Sequence, residues 1–153
     1  MPDLDDTDRR LLRVLQRDAT LSTQELAERA GLSASPAWRR VRRMTDDGVI
    51  AAQVVLVPPR ALGLSALAYV QVSLLDHREE TIAAFDRFVQ AEDQVVECAT
   101  ITGASDYLLK IVAEDAEGLE RFLMRRLLAT GIIRATVTNF VLRQTKYTTA
   151  LPV

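Results

Sequence analysis

Apolar positions near the start of the chain follow a helical spacing. Leu11, Leu12 and Leu15 are preceded by Asp5 and Asp8 at cap-like positions, where carboxylates suit the positive end of a helix dipole. A second helix start is sharper. Ser22-Thr23-Gln24-Glu25 has the form of a capping box, with Leu21 and Leu26 at the N′ and N4 positions of a hydrophobic staple. This short helix stops at Gly31, which tolerates the left-handed backbone of a tight turn. A third helix begins at Ser33 or Ser35. Ser35 would put Pro36 at the first helical position, where no amide proton is needed; Ser33 would put Leu32 and Ala37 at staple positions. Ala37, Val41 and Met44 then face a core, Ser35, Trp38, Arg39 and Arg42 face outward, and Gly48 ends the helix.

The pattern then changes. Val54 to Pro59 reads as a strand stopped by Pro58-Pro59, a pair that cannot continue a ladder and so marks a linker. From Ala66 to Leu75 the period is two: Ala66, Ala68, Val70, Val72 and Leu74 share one face, and Leu67, Tyr69, Gln71, Ser73 and Leu75 share the other. A helix is predicted over about 79–91 on Ile82, Phe85 and Val89. Strands over about 94–102 and 106–113 are joined by Gly103-Ala104-Ser105. A helix carries Leu119, Phe122, Leu123 and Leu127, and a last strand runs from about Ile133 to Leu142. The order β-α-β-β-α-β predicts a ferredoxin-like layer of two helices on one sheet face. The other face mixes apolar and polar side chains and is best covered by the same face of a second subunit. The fold class is therefore α+β, with residues 1–50 as a helical domain, 51–62 as a strand linker or hinge and 63–143 as the βαββαβ domain. Residues 144–153 form an extended tail expected to lie on a neighbouring subunit.

Composition narrows the class. With 48% apolar and 26% charged residues the chain resembles a soluble globular protein, and no apolar run is long enough to span a bilayer. Neither a membrane partner nor a secretory leader is expected, and a lone cysteine, Cys98, fits a cytoplasmic location. Cys98 is expected to be a buried small hydrophobe, and His77 a surface loop residue. One Cys and one His exclude the usual zinc spacings. There is no Ser-His-Asp set, glycine-rich phosphate loop or carboxylate pair at catalytic spacing, so neither an enzyme nor a cofactor is expected.

The net charge of −2 gives no general electrostatic case for a nucleic-acid partner. The local distribution does. Residues 33–44 hold Arg39, Arg40, Arg42 and Arg43 and no acid. Two helices joined by a short glycine turn, the second of them basic, predict a helix-turn-helix that docks in a DNA groove. The competing reading is a three-helix bundle with a solvated charged face.

Several stretches together resemble the Lrp/AsnC family, the feast/famine regulators. They are Leu4-Asp5…Asp8…Leu11-Leu12, the LSxxELAxxxGLS pattern from Leu21 to Ser33, and Arg40-Val41-Arg42-Arg43-Met44 followed by Gly48-Val49-Ile50. Thr102-Gly103 with Asp106-Tyr107-Leu108-Leu109-Lys110, and the tail Lys146 to Pro152, extend the match over nearly the whole chain. The resemblance implies a winged helix-turn-helix joined to an effector domain, dimers that often assemble into rings of four, and amino-acid effectors bound between dimers. It implies an effector site of Thr100, Gly103, Asp106 and Tyr107 with Thr138, Asn139 and Val141 on the last strand. Ala104-Ser105 and Asn139 depart from the leucine-responsive type.

The sequence thus points to a transcriptional regulator that binds double-stranded DNA and answers to an amino acid or related metabolite. Ser33, Ser35, Trp38, Arg39, Arg40, Arg42 and Arg43 are its DNA-facing candidates. Trp38 either meets the duplex or packs on the first helix, and Arg40 and Arg43 are either phosphate clamps or intradomain ion pairs. Asp106 and Tyr107 either bind effector or serve as a turn carboxylate and a core tyrosine. A tetrapyrrole decarboxylase on the same fold, and a sensing partner that no longer touches DNA, are the alternatives.

Overall fold

The computed structural model describes residues 3–153, and contacts divide the chain into two units: residues up to Leu56 together with Thr145–Val153, and Val57–Gln144. In the first unit α1 (Asp6–Leu15) opens with a capping box made of two aspartates: the Asp5 carboxylate accepts from the Asp8 amide, and the Asp8 carboxylate from the Asp5 amide. Ser22 and Glu25 cap α2 (Thr23–Ala30) in the same reciprocal way. At its far end Gly31 has φ +70°, and the Leu32 amide bonds back to the Ala27 carbonyl at 2.8 Å. Arg10 Nε donates to the Ala30 carbonyl at 3.2 Å, filling one of the acceptors that a helix end leaves open.

The third helix, α3 (Ala34–Asp46), starts after Ser33 and not after Ser35. Pro36 therefore stands at its third position. An N-cap serine normally bonds the second or third amide, and Pro36 has no third amide to offer. Ser33 accordingly makes no side-chain cap bond. Leu11, Leu12, Leu26, Ala27, Ala30, Ala37 and Met44 form the buried core of this unit, with Val41 packed against it.

The segment after α3 departs from expectation. Residues 51–58 form no strand, and Val54, Val55, Leu56 and Val57 are all at least half exposed. A strand needs a ladder partner, and no described residue of this chain pairs with them. Pro58-Pro59 lead instead into a 3₁₀ turn, Pro59–Leu62. The tail also differs: it is extended, but it lies on α1 of its own chain. The Gln16 side chain bonds both the amide (2.7 Å) and the carbonyl (3.2 Å) of Leu151, and Arg13 Nε donates to the Val153 carbonyl at 2.6 Å.

The second unit is β1 (Ala66–Leu74), α4 (Glu79–Ala91), β2 (Val95–Thr100), β3 (Tyr107–Ala113), α5 (Ala116–Phe122) and β4 (Ile133–Phe140). The antiparallel sheet has the order β2-β3-β1-β4, which leaves β2 and β4 at its edges. Ala66, Ala68, Val70, Val72 and Leu74 lie buried beneath Phe85 of α4 and Leu119, Phe122 and Leu127 of the α5 region. The five-residue step from Phe122 to Leu127 overshoots an α-turn, and the chain accommodates it with a π turn over Leu123–Leu127 that keeps Leu127 fully buried. Register shifts at Ser73/Leu74, so β1 ends one residue before Leu75, which is exposed. β4 ends at Phe140 rather than Leu142. Cys98 is not a buried hydrophobe: β2 is an edge strand, and Cys98 lies exposed on it.

Candidate nucleic-acid interface and effector site

One charge network anchors α3. Asp8 is 1% exposed and receives Arg40 at 2.9 Å and Arg43 at 2.5 Å, while Arg40 also reaches Asp5 at 2.7 Å. Two arginines of the basic segment are thereby engaged with α1, as intradomain ion pairs. The hydrogen bond that Arg40 donates to Asp5, then that to Asp8, raises the pKa of Arg40; the Asp8 amide, then Arg40, holds the Asp5 carboxyl below its ordinary value. The other two arginines point away. Among the described residues Arg39 has no hydrogen bond or ion pair, and Arg42 has only an exposed contact with Asp46 at 3.9 Å. Arg42 also lies over the Trp38 ring, 5.3 Å from its centroid, and Trp38 is 50% exposed. Ser35, Trp38, Arg39 and Arg42 thus form one exposed stripe at i, i+3, i+4 and i+7.

In the second unit the β2–β3 turn is held by Asp106. Its Oδ2 accepts from the Leu74 amide at 2.7 Å, its Oδ1 pairs with His77 Nε2 at 2.8 Å, and its own amide donates to the Val72 carbonyl at 2.9 Å. Gly103 takes φ +121° in this turn, a conformation that a side chain would strain. Tyr107 is buried, its ring 4.5 Å from that of Phe85, and burial pushes its phenol pKa up.

Residues 67–151 match the model of the Lrp/AsnC ligand binding domain, and residues 4–51 match a model of winged helix-turn-helix DNA-binding domains. The chain belongs to the Lrp/AsnC family. It is 34% identical to the DNA-binding transcriptional activator DecR of Escherichia coli, over 98% of this chain and 99% of that one. It is 35% identical to the transcriptional regulator AzlB of Bacillus subtilis, over 98% and 96%. A Neisseria meningitidis transcriptional regulator, solved as its L-Met complex, superposes with a TM-score of 0.95 at 33% identity, covering 98% of this chain and 97% of that one. This member is accordingly a DNA-binding transcriptional regulator.

The residues that the family resemblance assigned to the effector do not meet within one chain of this Lrp/AsnC protein. Thr100, Gly103, Asp106 and Tyr107 gather at the β2–β3 turn, whereas Thr138 and Asn139 lie on β4 and Val141 just beyond it. Thr100 pairs with Tyr107, Tyr107 with Val72, and Val72 with Thr136, so two strands separate Thr100 from β4 and one separates Tyr107 from it. Three strand spacings of about 4.8 Å put the sheet edges roughly 14 Å apart. The Asp8 and His77 contacts were not read from the sequence. Asp8 carried only a capping signal and His77 none, because their partners lie 32 and 29 residues away.

The Asp106 pair predicts an acid effect. His77, then the Leu74 amide, holds the Asp106 carboxyl below its ordinary range. A depressed folded value means that the carboxylate stabilises the fold above the ordinary carboxyl range, near pH 4, and that this contribution is lost as pH falls through the folded value. Wild type is therefore expected to exceed Asp106→Asn in melting temperature by most above about pH 5. The gap should close towards about pH 2.5 in thermal melts; a gap constant with pH would contradict the assignment.

Proposed function

We propose that this regulator binds DNA as a two-fold dimer, with the Ser35, Trp38, Arg39 and Arg42 stripe of α3 in the major groove. The observation that carries the reading is the division of the arginines: Arg40 and Arg43 are paired to Asp8, and Arg39 and Arg42 are left facing solvent. Guanidinium groups reach guanine edges and phosphates, and Trp38 offers an apolar wall for a thymine methyl or sugar. Ser33 and Ser35 are exposed at the start of α3, where hydroxyls suit a phosphate. Arg40 and Arg43 act behind them by fixing α3 on α1.

The sheet supports the dimer. Its face away from the helices presents Leu67, Tyr69, Leu108 and Val137, which this chain leaves partly or largely exposed. A second copy would cover them and pair two α3 helices with two half-sites. A site built from both groups requires an assembly, such as an octamer of four dimers, that brings β4 of one copy to the β2–β3 turn of another. The split between Thr100–Tyr107 and Thr138–Val141 supports an amino-acid effector held between subunits. The L-Met complex of the Neisseria relative supports the same ligand class.

Electrophoretic mobility shift with the DNA upstream of the protein's own gene tests the first part. Salt-sensitive, saturable binding is expected, and its absence would remove the reading. Thermal shift over the protein amino acids tests the second: at a hundredfold excess over Kd, a ligand of the folded state adds about 2.7 kcal/mol. Sedimentation that shows only monomer, with and without such a ligand, would exclude the shared site.

A further inference from the structure

We propose that His77 sets the affinity of the β2–β3 turn for its effector by competing with the effector's ammonium group for Asp106. The inference rests on the amino-acid reading of the site given above. All four polar atoms of Asp106 are engaged. The amide donates to the Val72 carbonyl at 2.9 Å, the carbonyl accepts from the Ile101 amide at 2.9 Å, and Oδ2 accepts from the Leu74 amide at 2.7 Å. Two of those bonds tie the turn to the end of β1 and the one to Ile101 closes the turn on itself, and losing any of them would leave a backbone group without its partner.

The fourth bond differs in kind. Oδ1 is held by His77 Nε2 at 2.8 Å, and the His77 side chain is 67% exposed. It projects from the link between β1 and α4, outside any strand or helix, so it can swing into water for the loss of one surface contact. An ammonium group is the chemistry that replaces it best, since it donates a charge-assisted bond to the same oxygen. Asp106 keeps its place and exchanges a single partner.

Asp106 is held below the ordinary carboxylate range, by His77 and then by the Leu74 amide, so it presents a carboxylate to either partner.

Calorimetric titration of the full chain with each of the protein amino acids, L-methionine and L-leucine among them, tests the proposal. His77→Ala is expected to bind roughly fivefold more tightly than wild type, the upper range for an exposed ion pair. His77→Gln keeps a neutral donor to Oδ1 and should stay near wild type. The desamino carboxylic acid of the same ligand should be indifferent to both substitutions. His77→Ala binding no tighter than wild type overturns the proposal while leaving the effector site standing. So does a desamino acid that responds as strongly as the amino acid. If no amino acid binds wild type or either variant, the effector reading itself falls and takes the proposal with it.

Discussion

A chain with Arg39 and Arg42 both replaced by alanine is expected to bind its DNA site roughly a hundredfold or more weakly, since each guanidinium lost from a groove contact costs about 1–3 kcal/mol. Both side chains are exposed and neither holds the domain together, so the melting temperature should barely move. The salt dependence separates two roles. For every phosphate contact removed, the slope of log affinity against log salt becomes shallower by about one, whereas loss of a base contact leaves the slope and relaxes sequence preference. Arg42 lies over Trp38, the only tryptophan, so Arg42→Ala should also change the intrinsic fluorescence of the free protein. Anisotropy titrations at several salt concentrations would decide the matter: undiminished affinity with an unchanged slope would mean that this stripe does not face the duplex.

Asp8→Asn is expected to destabilise the first unit by about 2–3 kcal/mol. Breaking a buried ion pair costs about 3–5 kcal/mol when the remaining charge cannot reach water. Here the side chains of Arg40 and Arg43 are 32% and 49% exposed, and rehydration recovers part of that cost. Small units carry only roughly 0.05–0.15 kcal/mol per residue, so a change of this size removes a large share of the total. The corresponding drop in melting temperature is about 10–20 °C. Tryptophan fluorescence reports on this unit alone, because Trp38 is on α3, and circular dichroism follows the whole chain. DNA binding should fail at the temperature where the fluorescence transition occurs and survive below it. A variant with wild-type melting and impaired binding would instead place Arg40 and Arg43 at the duplex.

The local grammar of the chain was legible because each signal is carried by neighbours in sequence. Ser22 and Glu25 are three residues apart and cap one helix; Ala66 to Leu74 alternate along one strand; Glu79–Ala91 falls where its apolar spacing predicted. Even the choice between Ser33 and Ser35 became a local question once Pro36 occupied the third helical position. The Lrp/AsnC patterns add the order of the elements and the class of function. Where the reading failed, the missing term was a partner. Val54 to Val57 have strand composition but no strand beside them in this chain, and Cys98 has the character of a core residue but sits on an edge.

The sequence by itself determined the elements apart from the strand expected at Val54, the three-helix and βαββαβ order, and the concentration of arginine on α3, because periodicity, caps and composition act over a few residues. Only the tertiary structure decided which arginines are spent within the domain and which face out. That choice depends on a buried carboxylate 32 residues before Arg40 on another helix. It likewise decided that Asp106 already has His77 as a partner, and that Thr100 and Thr138 stand at opposite edges of one sheet. The physical reason is common to all three. Ion pairing, hydrogen bonding and strand order join residues that are distant in sequence, and no period or spacing along the chain records which distant residue arrives.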